Sequence, residues 1–323
     1  MHLHLRDGKM LKNVAPWSAR YFSGGLIMPN LVEPITTQKA LMEYKKRILQ
    51  ACGDDSFEPY MTLFFKNDYT REFLEENRDK ITAIKLYPSG ITTNSDGGVK
   101  SMDIKTLSPV LEVMSELEIP LCVHGESDGF VMDREKEFGK TYIKLAKAFP
   151  NLKIIMEHIT TAYSVELLEK YDNLFATITL HHLYITLDEV AGGVLRPHLF
   201  CKPIAKRPED REALLKAATS AHPKVMFGSD SAPHPVHAKE SCGCAAGIFT
   251  APLALPALAQ LFEVRNALEN LQAFVSDNAC KIYNIKPLKK EISLINEPME
   301  VANSYGDVVP MFAGETLKWR VDE

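Results

Sequence analysis

The sequence predicts a (β/α)8 TIM barrel with a small β appendage at its C-terminal end. Three observations carry that prediction. Eight short apolar runs alternate with segments of helical spacing, the order that builds a ring of parallel strands and covering helices. Most runs are continuously apolar rather than alternating, as strands buried on both faces are. Residues of metal-binding type stand at the ends of separate runs, where such a barrel presents its chemistry.

In chain order, the strands fall at 2–5, 25–30, 60–65, 83–88, 120–126, 153–159, 175–183 and 225–234. Helical spacing fills the gaps. Over 36–51, Leu41, Tyr44 and Ile48 share one face. Over 108–118, Ser108 serves as N-cap, Pro109 takes the first helical position, and Leu111, Met114 and Leu117 form the stripe. Further helices are expected at 135–148, 164–171 and 208–221, and across 255–283. An open doubly wound sheet is the competing arrangement, but it brings a glycine-rich phosphate loop after its first strand. Here Arg6-Asp7-Gly8 follows instead. From 286 the helical period gives way to strand-like pieces at 291–295 and 317–321. The expected organisation is a barrel over 1–285 with an appendage over 286–323 packed on it.

At 323 residues, with 46% hydrophobic and 24% charged residues, the chain can bury one large core. A net charge of −5 offers no basic field for nucleic acid or an anionic membrane. No apolar run approaches the ~20 residues of a membrane helix, and the first residues do not read as a signal peptide. The expectation is a cytoplasmic protein whose partner is a small molecule. The 6 cysteines are thinly spread and read as reduced thiols. Cys242 and Cys244, separated by one residue, lack the usual zinc spacing and are assigned to a loop.

His2 and His4 are two apart on a strand and so face the same way, where both can bind one metal. Lys85 stands between Ile84 and Leu86, and a buried ammonium is costly unless paired or neutralised. Beside histidines and a cation it would be repelled, unless carbon dioxide adds to the amine as an anionic carbamate able to bridge two metal ions. The plainer alternative is a lysine that snorkels to solvent at the strand end. His124 and His158 each end an apolar strand and each neighbour a glutamate, Glu126 and Glu157. Singly, each is more simply a hydrogen-bonded core histidine. Asp230, after Phe227-Gly228-Ser229, calls for a charged partner or a metal if buried.

Together these residues fit two zinc-like ions with an open position better than one closed structural site. Two metals bridged by water would supply hydroxide near neutrality and polarise a carbonyl, with Asp230 as acid–base shuttle. Hydrolysis, or its reverse, at an amide-like carbon is the expected chemistry. His181, His182, His198, His222 and His237 are read as structural or exposed.

In these residues and their order the chain resembles the short bacterial dihydroorotases of the amidohydrolase superfamily, barrels of the metal-dependent hydrolase type. The resemblance runs through His2-Leu3-His4-Leu5-Arg6-Asp7, Met28-Pro29-Asn30, Lys85-Leu86-Tyr87-Pro88 and Thr92-Thr93-Asn94. It continues through Val123-His124-Gly125-Glu126, Glu157-His158-Ile159-Thr160, Arg196-Pro197-His198, Asp230-Ser231-Ala232-Pro233-His234 and the run from Lys239 to Ala245. It implies His2, His4, Lys85 as N6-carboxylysine, and Asp230 at one zinc ion, with Lys85, His124 and His158 at the other. It also implies Arg6, Asn30 and His234 around a substrate carboxylate, a role that a guanidinium fork and neutral donors suit; His124 would touch substrate as well.

Thr92 and Thr93 match the tip of a mobile loop that closes over substrate. Ala245 and Lys202 match backbone contacts, Lys202 standing where the family commonly has an apolar residue. Taken alone, Arg6 would read as a surface ion-pair residue, Asn30 as a turn former and His234 as a loop residue. The implied reaction is reversible cyclisation of N-carbamoyl-L-aspartate to L-dihydroorotate plus water, by a homodimer. Hydantoinases, dihydropyrimidinases and allantoinases are the nearest alternatives, though they lack a substrate carboxylate at this place. A catalytically inactive scaffold barrel is the alternative from another class. Family members usually carry several residues of strand before the first histidine pair, whereas Met1 immediately precedes His2; the first strand is then very short or a native leader is missing.

Overall fold

The computed structural model describes residues 1–322. Its parallel strands are β1 (Gly24–Ile27), β2 (Glu58–Phe64), β3 (Ala83–Leu86), β4 (Leu121–Val123), β5 (Ile154–Met156), β6 (Leu174–Ile178) and β7 (Val225–Phe227). They hydrogen-bond to one another in sequence order, the topology of a barrel whose helices lie outside. The first helices in the chain are α1 (Gly8–Tyr21), α2 (Gln38–Cys52), α3 (Arg71–Asn77), α4 (Ile104–Glu116), α5 (Arg134–Ala148) and α6 (Ala162–Lys170). After β6 come α7 (Leu180–Tyr184), α8 (Leu187–Ala191) and α9 (Pro208–Thr219); after β7 come α10 (Val236–Lys239), α11 (Ala254–Val264) and α12 (Asn278–Tyr283).

The first residues close the ring. Leu3 bridges in parallel to Ile27 on one side and to Ser231 on the other. Its N–H donates to Leu26 O at 3.0 Å, and Met28 N returns a bond to Leu3 O at 3.0 Å. Across the other seam, His4 N donates to Ser231 O at 3.0 Å and Asp230 N to His2 O at 2.8 Å. The expected strand over 2–5 is thus corrected to a single bridge. His2 has φ 45°, in the left-handed region, and interrupts the extended conformation a longer strand would need.

Period-two alternation divides the strand residues between two cores. Leu3, Leu5, Ile84, Leu86, Leu121 and Val123 face outward into the layer beneath the helices. Leu26, Met28, Ala83, Cys122, Ile155 and Met226 fill the inside of the barrel, and Ala279, Ile282 and Tyr283 of α12 plug its lower end. Lys85 shares parity with Ala83, and His124 with Cys122. Asp230 shares it with Met226, two pleats on, through Gly228. The inward-facing set is therefore apolar at the bottom and ligand-rich at the top.

Other boundaries differ from expectation for local reasons. The strand expected over 175–183 stops at Ile178, because Thr179 caps α7 through its side chain on His182 N. The helix expected from Ser108 begins instead at Ile104 with Asp103 as N-cap. Leu107 extends the buried stripe of Leu111 and Met114 back by one turn, and Pro109 lies on the exposed face. Pro109 carries no N–H, so one carbonyl in the preceding turn goes without its helical donor. The segment 255–283 is not one helix: Asn266 turns through φ 52°, and a 3-10 and a π segment precede α12. Past 286, β8 (Leu294–Ile295) pairs with β11 (Arg320–Val321), and β9 (Met299–Glu300) with β10 (Thr316–Leu317), both antiparallel. Among the described residues no helix is long and apolar enough to cross a membrane.

Gly228 shows how little slack the interior has. A Cβ there would lie 2.5 Å from Thr177 Cβ, and the branched threonine, held by two hydrogen bonds described below, cannot rotate away. Gly228→Ala is expected to cost about 1–3 kcal/mol of stability, read as a shift in the denaturant midpoint; an unshifted midpoint would contradict this packing.

Candidate active site

At the upper end of the barrel four imidazoles converge. Ring centroids of His2 and His4 are 5.4 Å apart, those of His2 and His158 5.0 Å, and those of His124 and His158 4.7 Å. Asp230 Oδ1 lies 3.1 Å from His4 Nε2 and 3.5 Å from His2 Nε2. His124 Nδ1 faces His158 Nε2 at 3.1 Å. Ligand atoms of His2, His158 and Asp230 all fall within 4.8 Å of one another, and all three residues are buried.

Three of these residues depart from ordinary backbone geometry. His2, His158 and Asp230 have φ of 45°, 41° and 39°, a left-handed conformation costing about 1–3 kcal/mol for such residues. For His158 the departure has a purpose visible in the alternation. Ile155 and Glu157 point inward along β5, so His158 should point outward; the left-handed turn brings its ring back into the barrel. The turn is pinned from both sides. Thr177 Oγ1 accepts from His158 N at 2.6 Å and donates to Glu157 Oε2 at 2.6 Å. Glu135 on α5 accepts from Thr160 N, Thr161 N, both threonine hydroxyls and Ser164 Oγ.

Each glutamate beside a candidate ligand aligns an imidazole. His124 Nε2 donates to Glu126 Oε2 at 2.7 Å, which directs its Nδ1 at the cluster. Glu157 Oε2 approaches His2 Nδ1 to 2.7 Å, outside hydrogen-bond angles, so its hold is electrostatic. Such carboxylate–imidazole pairs orient metal-binding histidines. Burial raises the Glu157 carboxyl, but His2 and Lys85 outweigh it and hold it down to about 2. Burial likewise opposes ionisation of Asp230, and His2 and His4 overcome it, leaving it well below the usual carboxylate range. Burial lowers His4 to about 4 against the pull of Asp230, and drives His158 well below its ordinary value. These rings are neutral lone-pair donors.

Lys85 is 0% exposed, and its Nζ has no hydrogen-bond partner among the described residues. The Nζ lies 5.0 Å from the centre of the Tyr87 ring. Burial lowers its pKa, with Glu157 opposing. A buried amine without a hydrogen-bond partner, an orphaned His158 Nδ1 and a buried carboxylate among imidazoles together form a donor set that suits divalent cations.

Beside the cluster sits a cationic corner. Arg6 Nε donates to Pro233 O at 3.1 Å, which fixes the plane of its guanidinium. Arg6 Nη2 lies 2.9 Å from His234 Nε2, which is also 3.0 Å from Ala246 O. One ring nitrogen cannot accept from Arg6 and donate to Ala246 at once, so only one of these two contacts is a hydrogen bond at a time. Burial and Arg6 lower His234 to about 3. Above lies the 91–95 loop, tied down by Asn30 Nδ2 on Thr93 O at 3.0 Å, Asn94 Nδ2 on Asn30 O at 3.1 Å and Lys202 Nζ on Ile91 O at 2.9 Å. The enclosed cavity is only about 20 Å³, room for roughly one water. A ring-sized ligand does not fit the cavity with the loop in this position.

His2, His4, Arg6, Asn30, Thr92, Thr93, His124, His158, Lys202 and Asp230 all line that cavity. Lys85 is buried among them, and His234 joins through Arg6. Lys202 reaches in with its side chain, beyond the backbone contact expected of it. Ala246 and Gly247 line the cavity, while Ala245 stands one residue back with its carbonyl on Lys239. Sequence reading assigned no role to Glu126, Glu157, Tyr87 or Thr177; the inward parity of Glu157 with Ile155 was the available signal. His182 binds Thr179 Oγ1 and Pro203 O through its two nitrogens, in keeping with a structural role. A roomier cavity of about 610 Å³ at the lower end is lined by Met1, Tyr60 and α12 residues and holds no such cluster.

Comparison with known proteins places this geometry among relatives. Residues 1–292 match the amidohydrolase family. The dihydroorotase of Helicobacter hepaticus is 46% identical over 329 aligned residues, covering 100% of this chain and 96% of that protein. The crystal structure of Campylobacter jejuni dihydroorotase superposes with a TM-score of 0.96 at 58% identity, covering 100% of this chain and 95% of that one. Saccharomyces cerevisiae dihydroorotase, solved in complex with 5-fluoroorotic acid, superposes with a TM-score of 0.92 at 37% identity, covering 100% and 96%.

Glu157→Gln removes the charge that steers His2 while nearly preserving shape. It is expected to weaken divalent-metal binding about 10- to 100-fold, measured by chelator competition on folded protein; unchanged affinity would remove Glu157 from the site.

Proposed function

The chain belongs to the amidohydrolase family and, over its whole length, to the dihydroorotases within it; from that membership we propose how its site works. It is a hydrolase of cyclic amides, and its reaction is the reversible cyclisation of N-carbamoyl-L-aspartate to L-dihydroorotate plus water, a step of pyrimidine synthesis. One observation supports the carboxylate-bearing substrate most: the Arg6 guanidinium, whose hydrogen-bond contacts among the described residues are the neutral Pro233 carbonyl and His234 ring, lines the same cavity as the ligand cluster.

Two divalent ions of zinc type are assigned to the cluster. His2, His4, Lys85 as N6-carboxylysine, and Asp230 would hold one; Lys85, His124 and His158 would hold the other. When bound, the ions lower the pKa of water and polarise the ring carbonyl. Asp230 takes a proton from the attacking water and hands it to the ring nitrogen as the amide C–N bond breaks. In the cyclising direction the same carboxylate takes the proton from the ureido nitrogen and releases it with the departing water. Arg6 forks onto the substrate carboxylate, with Asn30 as a further donor, His234 lining the carboxylate pocket beside Arg6, and His124 against the substrate. Thr92 and Thr93 close above, excluding water, and backbone at Lys202 and Ala245 shapes the rim. The family resemblance supports a cytoplasmic homodimer.

Steady-state assays of the wild-type chain with dihydroorotate and with hydantoin test the reading: turnover of hydantoin alone would contradict it. Arg6→Met should raise KM for dihydroorotate about 10- to 100-fold. Asp230→Asn should lower kcat by about 10² to 10⁴ while orotate still binds; near-normal turnover would deny Asp230 the proton transfer.

A further inference from the structure

Lys239, the last residue of α10, is 2% exposed, and its ammonium donates three hydrogen bonds. They go to Phe200 O at 2.9 Å, Ala245 O at 2.8 Å and Gly247 O at 2.8 Å. An ammonium has three donors and no acceptor, so all its capacity is spent on backbone. No carboxylate among the described residues pairs with it, and burial lowers it to about 8. Burying an ammonium without a counter-charge is costly, and a structure that needed only a packed loop would place an apolar side chain there.

The three carbonyls explain what the charge does. Phe200 belongs to the segment after β6, whereas Ala245 and Gly247 belong to the segment after β7. Phe200 O accepts from Gly247 N at 3.0 Å as well as from Lys239, so one carbonyl joins both segments. Along 245–247 the carbonyls alternate: those of Ala245 and Gly247 point to Lys239, and that of Ala246 points to His234 Nε2 at 3.0 Å. Gly247 is pressed against the strand end; a Cβ there would lie 2.3 Å from Ala232 O and 3.0 Å from His234 Cδ2. Residues 245–247 have no regular secondary structure of their own, so their peptide orientations depend on these partners.

We propose that Lys239 is a positioning residue for the substrate carboxylate: by gripping the carbonyls on either side of Ala246, it aims Ala246 at His234 and sets the pocket wall facing Arg6. The assignment of that pocket to a carboxylate rests on the proposed function; the clamp itself does not. Loss of the ammonium leaves this segment tied only through Ala245 N on Ala238 O at 2.9 Å and Gly247 N on Phe200 O at 3.0 Å. The Ala245 and Gly247 carbonyls on either side of Ala246 then lose their common anchor, and His234 loses a fixed acceptor. The consequence falls on binding of the carboxylate, not on the amide being cleaved.

The test uses Lys239→Met, which keeps the apolar stem, and Lys239→Gln, which keeps two N–H donors on a shorter one. In Lys239→Met, KM for dihydroorotate should rise about tenfold or more while kcat changes far less, the pattern of lost ground-state binding. Dihydrouracil, the same ring without the carboxylate, should be turned over as by wild type. Backbone amides at 240–247 should exchange faster with deuterium while β1 to β7 keep their protection, and Lys239→Gln should fall between. A purely structural role would instead lower activity on both rings in parallel. Wild-type KM with wild-type exchange at 240–247 in either folded variant would overturn the proposal. Should wild type fail to process dihydroorotate, the functional reading falls, and the exchange measurement alone decides the clamp.

Discussion

Closure of the barrel by residues 1–4 is the constraint on which the site depends. The ladder from Leu3 to β1 and from His2 and His4 to the end of β7 does two things at once. It seals the ring of strands, and it brings His2 and His4 to within 3.5 Å of Asp230, across a sequence separation of more than two hundred residues. Because side chains alternate along a strand, whatever fixes this register also fixes which residues face the interior. A slip by one residue would turn His2, His4 and Arg6 into the helix layer and Leu3 and Leu5 into the site.

The electrostatics follow from that enclosure. Four imidazoles, three carboxylates and an amine share a buried space, so every charge needs a specific partner. Glu157 answers His2 and Lys85; Asp230 answers His2 and His4; Glu126 answers His124. Lys85 feels Glu157 only through its charge: its buried nitrogen makes no hydrogen bond among the described residues. Outside the ligand cluster the charges are of the opposite kind. Arg6, Lys202 and Lys239 bond chiefly to carbonyls; Arg6 and Lys202 line the cavity as a basic rim suited to an anionic ligand, and Lys239 is buried behind it.

Much of this was legible in the chain. Continuous apolar runs located seven of the strands, since parallel strands buried on both faces tolerate little else, and the residues ending those runs are the ones that converge. What escaped was set by tertiary contacts. The fold of His158 back into the barrel depends on a left-handed φ that no local residue type announces, and on Glu135 and Thr177 from neighbouring elements. The early start of α4 depends on Leu107 finding the core and Pro109 finding solvent. The shortness of the first strand depends on His2 leaving the extended region. Lys239 was read only as one letter in a motif, because three backbone carbonyls leave no trace in a sequence.

The central claim is that the buried, unpartnered Lys85 nitrogen is the attachment point of a carbamate that joins two metal ions. Carbon-13 NMR of the metal-loaded protein equilibrated with labelled bicarbonate tests it most directly. A protein-bound carbamate resonance that is absent from Lys85→Ala is the predicted result. A fully metallated, active protein showing no such resonance, with Lys85 titrating as a free amine, would contradict the account.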